Sequence, residues 1–250
     1  MKTTQADLVR QHHPDAIKAR LNRPPKASVL SDAILGAIDG CVTTFAVVSG
    51  AIGANFPATV ALVLGLANLF ADAFSMAISN YESMKAQQDY RSSIRAEEQQ
   101  HIDQFPEGER EEIRQIFQNK GFSDETLEVV VDTITANDRL WIDTMLTEEH
   151  GLPLTAANPF KAAAATFGAF IAVGIMPLLP FLISGLDKNT QFVSSACIAG
   201  IMFFSIGSLK SLVYSKPIVR AGLSTLLTGG AAASLAFIVG YVLREIFGIS

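Results

Sequence analysis

The sequence predicts an all-α membrane protein, with five transmembrane helices and a cytoplasmic, acidic helical domain inserted between the second and the third. Three observations carry that prediction. Of 250 residues, 49% are hydrophobic and 17% charged, where a soluble domain carries roughly a quarter charged residues; an ordinary cytosolic enzyme is therefore disfavoured. Three runs, Ala162–Leu186, Asn189–Leu209 and Ala221–Leu243, contain no charged residue, and a fourth, Gly40–Ala71, is interrupted only by Asn55-Phe56-Pro57. The charges are also unevenly placed. Residues 82–150 hold 17 of the 24 acids but 7 of the 19 bases, a segment net of −10, and the remaining residues net +5. The overall charge of −5 thus averages two different materials. Disorder, a collagen repeat, a disulfide scaffold and a nucleic-acid binder do not fit this composition.

Taken in order, residues 1–27 form a polar N-terminal segment with six Lys or Arg and the triplet His12-His13-Pro14. It lacks an apolar core of signal-peptide length, so no cleaved signal is expected and the first apolar segment serves as its own insertion signal. Residues 28–81 hold the first two spans, about Ser31–Gly53 and Ala58 to Asn80, separated by the turn at Asn55-Phe56-Pro57. Residues 82–155 form the insert. Tyr81 to Gln104 is polar without Gly or Pro, so the second span should continue straight into it. Pro106-Glu-Gly-Glu starts a helix with an apolar edge of Ile113, Ile116 and Phe117, ended by Lys120-Gly121. Ser123-Asp-Glu-Thr caps the next, which carries Leu127, Val130 and Val131. A last helix, about Asn137–His150, carries Trp141, Met145 and Leu146 and closes at Gly151-Leu-Pro153. Residues 156–250 supply three more spans, each uncharged run having at least 21 residues, enough to cross a hydrocarbon core of about 30 Å.

Short flanks rich in Lys and Arg stay on the cytoplasmic side. The N-terminal segment and the loop around Lys210–Arg220 are basic, so the N-terminus, the insert and that loop share the cytoplasmic face and the C-terminus falls outside. Cys41 and Cys197 lie in apolar runs and read as small buried hydrophobes.

Candidate chemistry falls into two groups. Asp32, Asp39 and Asp72 sit in or near spans, where a carboxylate at depth costs a few kcal/mol (about 3 on insertion scales) and faces a cavity, a partner or a cation. Asp32 is also placed to be an interfacial N-cap, and interhelical hydrogen bonding is the structural alternative for Asp72. Met76 follows Asp72 by one turn and offers a soft thioether; packing is the commoner role for such a methionine. In the insert, Glu98-x-x-His101, Glu109-x-x-Glu112 and Met145-x-x-x-Glu149 each present a pair on one helical face, a Glu/His/Met mixture that divalent first-row metals accept. A solvated acidic face is the alternative, and the better one for Glu97, Glu107 and Glu128. Di-iron carboxylate proteins use two Glu-x-x-His motifs, so the single one here argues against an oxidase. Gly36-x-x-x-Gly40 is a close-packing face that could support dimerisation. The chain contains no Walker loop, dinucleotide fingerprint, nucleophile elbow or zinc-protease motif.

The segments Ser31-Asp-Ala-Ile-Leu-Gly-Ala-Ile-Asp-Gly40, Ala73-Phe-Ser-Met-Ala-Ile-Ser-Asn-Tyr81 and Trp141-Ile-Asp-Thr-Met-Leu-Thr-Glu-Glu-His-Gly-Leu152 resemble the vacuolar iron transporter family over nearly everything after residue 28. The resemblance implies a homodimeric secondary transporter that moves Fe²⁺, and often Mn²⁺, out of the cytosol in exchange for protons. It implies no prosthetic group and makes Fe²⁺ the substrate, with Mn²⁺, Zn²⁺ and Co²⁺ as further candidates. The partners implied are metal ions, protons, the lipid bilayer and a second copy of the chain. The family's membrane aspartate falls on Asp39 and its membrane methionine on Met76; its insert ligands fall on Glu98, Glu109, Glu112, Glu149 and Met145. His101 replaces an expected Glu, Leu146 an expected Met, and Asn80 stands where many relatives carry Glu or Gly. Shorter prokaryotic relatives and the lack of a plant-type extension favour a bacterial inner membrane over a vacuolar one. Two other classes compete: a membrane-anchored iron-storage or ferroxidase protein, and a metal-sensing membrane regulator.

Overall fold

The computed structural model describes residues 4–22, 29–155, 157–214 and 217–248, and every regular element among them is helical. Arg23, Lys26 and Lys216, which contribute to the basic-flank pattern, lie outside the described residues. Two short exposed helices, α1 (Gln5–Gln11) and α2 (Pro14–Leu21), precede the first span, α3 (Leu30–Gly53). Asn55, at φ 62°, reverses the chain before Pro57 opens α4 (Ala58–Gln104). The insert adds α5 (Pro106–Asn119), α6 (Asp124–Thr135) and α7 (Asp138–Glu148); the membrane part resumes with α8 (Pro159–Gly174), a 3₁₀ segment (Met176–Leu182), α9 (Lys188–Tyr214) and α10 (Ile218–Phe247).

Four helices are long and apolar enough to cross a membrane, and α8 with the 3₁₀ segment makes a fifth candidate span, bent by 40° at the junction. The run Ala162–Leu186, expected to supply one span, is thus an α-helix followed by a 3₁₀ segment. Pro177 and Pro180 lack the N–H groups an α-helix needs there, and the freed carbonyl of Pro177 accepts from Ser195 Oγ at 2.6 Å. Contacts sort the loops onto two ends. Lys188 Nζ donates to Asn55 Oδ1 at 2.8 Å, and the C-terminal half of α10 lies against the end of α3. The opposite end carries the start of α3, the start of α8 and the emergence of the insert.

The spans meet backbone to backbone. A Cβ at Gly36 would stand 2.3 Å from the Thr166 carbonyl oxygen, and one at Gly40 2.4 Å from that of Phe170. The Gly36/Gly40 face is thus filled by α8 of the same chain and is not open to a second copy. On α10, Gly240 similarly admits the Gly50 carbonyl of α3.

α4 runs unbroken for 47 residues, about 70 Å at 1.5 Å per residue. Its first half packs in the membrane bundle and its second half forms one wall of the insert. There Ile94 and Ile102 join Ile113 of α5, Leu127, Val131 and Ile134 of α6, and Trp141, Ile142, Met145 and Leu146 of α7 in one buried cluster. Each such side chain contributes about 1.5–3 kcal/mol on burial, which gives the insert a core of its own. Arg95–Asp143, Arg110–Asp132 and Arg114–Glu128 pairs clasp its outside. Ser123 precedes α6 without capping it; its hydroxyl donates to Asp124 instead, because Asp124 at φ 52° turns the first amides away.

Candidate metal centre

Three helix ends converge on one face of the insert. Phe105 breaks α4 and Pro106 starts α5 at once, so the last turns of α4 lie beside the first turn of α5. This sets Glu98 and His101 against Glu109 and Glu112. From the other side, α7 ends at Glu148 and Gly151 adopts φ 64°. The returning amide of Leu152 bonds the Leu146 carbonyl at 2.7 Å, and this reversal delivers Glu149 and His150 to the same place.

The resulting cup has a buried floor and an open rim. Glu98 is 3% exposed and Glu109 6%, whereas His101, Glu112 and Glu149 are exposed and His150 is half-buried. His150 Nε2 lies 2.8 Å from Glu98 Oε1 and 3.6 Å from Glu149 Oε2. His101 Nδ1 lies 3.3 Å from Glu109 Oε1. Among the described residues, the second oxygens of Glu98 and Glu109 are buried without a hydrogen-bond partner, which costs about 1–3 kcal/mol per group, more when charged. Burial, then the charges of Glu112 and Glu98, push the Glu109 carboxyl up to about 7. Burial and Glu112 also raise Glu149, which in addition sits at the negative end of α7. The hydrogen bond to Glu98 holds His150 above the ordinary imidazole range. An array of crowded carboxylates with unfilled oxygens has the electrostatics of a cation site.

Five of the six insert residues singled out from the sequence meet here. The sixth, Met145, is fully buried in the apolar cluster one turn before Glu149. Of the acids read as solvated, Glu128 is an ion-pair partner of Arg114. His150 escaped sequence reasoning, which looked for pairs spaced three or four apart. Its signal was adjacency to Glu149 at a helix end followed by glycine, where neighbouring side chains are no longer forced onto different faces.

In the membrane part, Asp32 is buried and accepts from Asn80 Nδ2 at 2.9 Å; the same amide donates to Thr166 Oγ1 at 2.8 Å. It is not the N-cap: α3 begins at Leu30 after Val29, so Asp32 lies in the first turn, where the helix dipole favours a carboxylate. Asp39, half-buried two turns on, has no hydrogen-bond or ion-pair partner for its carboxylate among the described residues and lies within electrostatic reach of Asp72. Asp72 accepts from Asn68 Nδ2 at 2.8 Å, and Met76 packs beside it against the apolar cluster that includes Leu69 and Phe170. Asp32 and Asp39 share a helix face but not a setting.

A family model described as the VIT family matches residues 30–241. The chain is 34% identical over 225 residues to a "Vacuolar iron transporter" of Plasmodium berghei (strain Anka), covering 86% of this chain and 82% of that one. It is 30% identical to the protein of the same name from Plasmodium falciparum (isolate 3D7), with the same coverage. It is 29% identical to "Vacuolar iron transporter 1" of Arabidopsis thaliana over 221 residues, covering 87% of each.

Proposed function

The chain belongs to the VIT family, and from that premise we propose that it is a proton-coupled antiporter exporting Fe²⁺, and Mn²⁺ as a second substrate, from the cytosol. It is a multi-pass membrane transporter of metal ions rather than an enzyme. The observation that carries the finer reading is the pair of buried carboxylate oxygens on Glu98 and Glu109 with nothing to bond, in a cup completed by His101, Glu112 and Glu149. Such a site is strained when empty and relieved by a divalent ion.

On this reading the insert lies on the cytosolic face, as the basic flanks require, and loads ions for the pathway. The pathway runs past Asp32, Asp39, Asp72 and Met76. Asp39 is its exchange point, since its carboxylate is free of competing partners and beside a second acid. A metal ion binds the ionised form; a proton arriving from the far side neutralises it and releases the ion. The energy comes from the proton gradient, in keeping with a sequence that has no nucleotide-binding motif. The working unit is a homodimer, which meets through surfaces other than the filled Gly36/Gly40 face. The same orientation serves a bacterial cell membrane, which we favour, or a vacuolar one.

The test is Fe²⁺ flux into proteoliposomes of the full chain under an imposed proton gradient. Wild type should accumulate Fe²⁺ and move protons oppositely, and Asp39→Asn should do neither. Normal flux through Asp39→Asn would overturn the mechanism. A protein that oxidises or merely binds Fe²⁺ without flux would be the storage or sensor class.

A further inference from the structure

We propose that His150 is a metal ligand and a selectivity residue: with Glu98 and Glu149 it forms a nitrogen-bearing seat that favours first-row transition ions over Mg²⁺ and Ca²⁺. The proposal rests on the reading of the insert as the ion-loading domain and adds to it which residue discriminates among cations.

The geometry is that of a coordination shell. One ligand atom from each of Glu98, Glu149 and His150 lies within 4.8 Å of the others. With metal–ligand bonds of about 2.1 Å, adjacent ligands stand about 3.0 Å apart in an octahedron and 3.4 Å in a tetrahedron. The two edges that meet at His150 Nε2, 2.8 and 3.6 Å, bracket those values. An ion can therefore settle with small side-chain adjustments by displacing to solvent the proton that Nε2 donates to Glu98 Oε1, which leaves the imidazole in its Nδ1–H form with the Nε2 lone pair turned inward. A second and independent observation points to a ligand. Glu98 is 3% exposed, its Oε1 is engaged with His150, and its Oε2 is buried with no hydrogen-bond partner among the described residues.

The chemistry of the donor set decides which ion. Mg²⁺ dehydrates reluctantly and takes oxygen ligands, and Ca²⁺ needs six to eight oxygens. Imidazole suits first-row transition ions, whose affinity rises along the series toward nickel and copper. A cup of carboxylates alone would be open to Mg²⁺, the abundant competitor in any cytosol; one imidazole on its rim tilts the balance. His101 stands on the opposite side beside Glu109, half exposed, and its imidazole is the one from which that of His150 has to be told apart.

The experiment uses the full chain in detergent with Co²⁺ as probe, in a His12→Asn, His13→Asn background. His101 and His150 are then the only imidazoles, because the chain has four histidines. X-ray absorption at the cobalt edge reads imidazole ligation, and calorimetry reads affinity for Co²⁺ and Mg²⁺. His150→Gln keeps an amide that can bond Glu98 but offers no imidazole. The expected result is loss of imidazole scattering and at least a tenfold fall in Co²⁺ affinity, by analogy with the roughly 10–100-fold effects of outer-shell changes. Mg²⁺ affinity should stay within about twofold. Retention of Co²⁺ affinity by His150→Gln would show that His150 only positions Glu98 and would overturn the proposal. So would imidazole scattering that persists in His150→Gln and disappears in His101→Gln. Co²⁺ binding indifferent to Glu109→Ala with Glu112→Ala would instead sink the ion-loading reading itself, and this proposal with it.

Discussion

Glu109→Gln should make the ion-free insert more stable at alkaline pH, not less. In the native fold the Glu109 carboxyl titrates near 7 against an ordinary value of 4.5, so the folded form holds its proton more tightly than the unfolded one. Stability is therefore full below about pH 4.5, falls as pH rises through 7, and stays lower above. A shift of about 2.5 units at about 1.4 kcal/mol each sets an upper bound near 3.5 kcal/mol. Glutamine keeps the shape and removes the charge. Hydrogen exchange in α5 and α6 of the full chain reads the local opening free energy, and comparing variant with wild type at each pH cancels the intrinsic exchange rates. At pH 8 the variant's amides should be more protected by up to about 3.5 kcal/mol, converging with wild type near pH 5. Addition of Mn²⁺ at pH 8 should reverse the order. An ion at a thousandfold its Kd adds about 4.1 kcal/mol to the native state that binds it, more than the bound on the charge effect, and the variant has lost a ligand. A residue selected to bind a cation costs stability when the cation is absent. Lower protection in the ion-free variant at pH 8 would refute this reasoning and make Glu109 a structural partner of His101.

Two further outcomes test the membrane part. Gly40→Val forces α3 and α8 apart, because a Cβ there would already stand 2.4 Å from the Phe170 carbonyl oxygen, so size-exclusion thermostability should drop by a large margin, whereas Gly230→Ala, whose Cβ would meet nothing within 4 Å among the described residues, should match wild type. Asn80→Ala removes the donor shared by Asp32 and Thr166 and should cost about 1–3 kcal/mol in unfolding free energy; an unchanged midpoint would show that the triad does not fasten α3, α4 and α8.

What the sequence made legible is what depends on single segments. The absence of charge over 21 or more residues located the spans, Asn55-Phe56-Pro57 located the first turn, and the lack of Gly or Pro after Tyr81 announced that α4 would not stop at the membrane. Glu98, His101, Glu109, Glu112 and Glu149 were found from spacing because each pair lies on one helix. The remainder depends on which segment meets which. Gly36 and Gly40 advertised close packing without saying that α8 would fill the groove. Asp32 was read from its own helix, while its partner Asn80 is 48 residues away. Pro177 and Pro180 lie inside an uncharged run whose length marks a span without saying where it bends. His150 depended on a reversal at Gly151 that turns two adjacent residues toward α4.

The length of α4 constrains how the insert can serve the pathway. Met76 and Glu98 are on the same unbroken helix, and 22 residues at 1.5 Å each separate them by about 33 Å. That is about four Debye lengths at physiological ionic strength, where one is about 8 Å. The −10 charge of the insert is therefore screened before it reaches the middle of the bundle, and on the proposed pathway it cannot draw ions past Asp39 directly. It can raise their concentration at its own surface, and the carboxylate cup can hold them there. Delivery then requires either release at the mouth near Asp32 and Asn80 or movement of the insert about α4. Surface acids far from the cup, such as Glu128 in its ion pairs with Arg110 and Arg114, contribute to neither step. On the proposed ion-loading role, the charge imbalance that first separates this insert from the rest of the chain acts only where carboxylates crowd together, at Glu98, Glu109, Glu112 and Glu149.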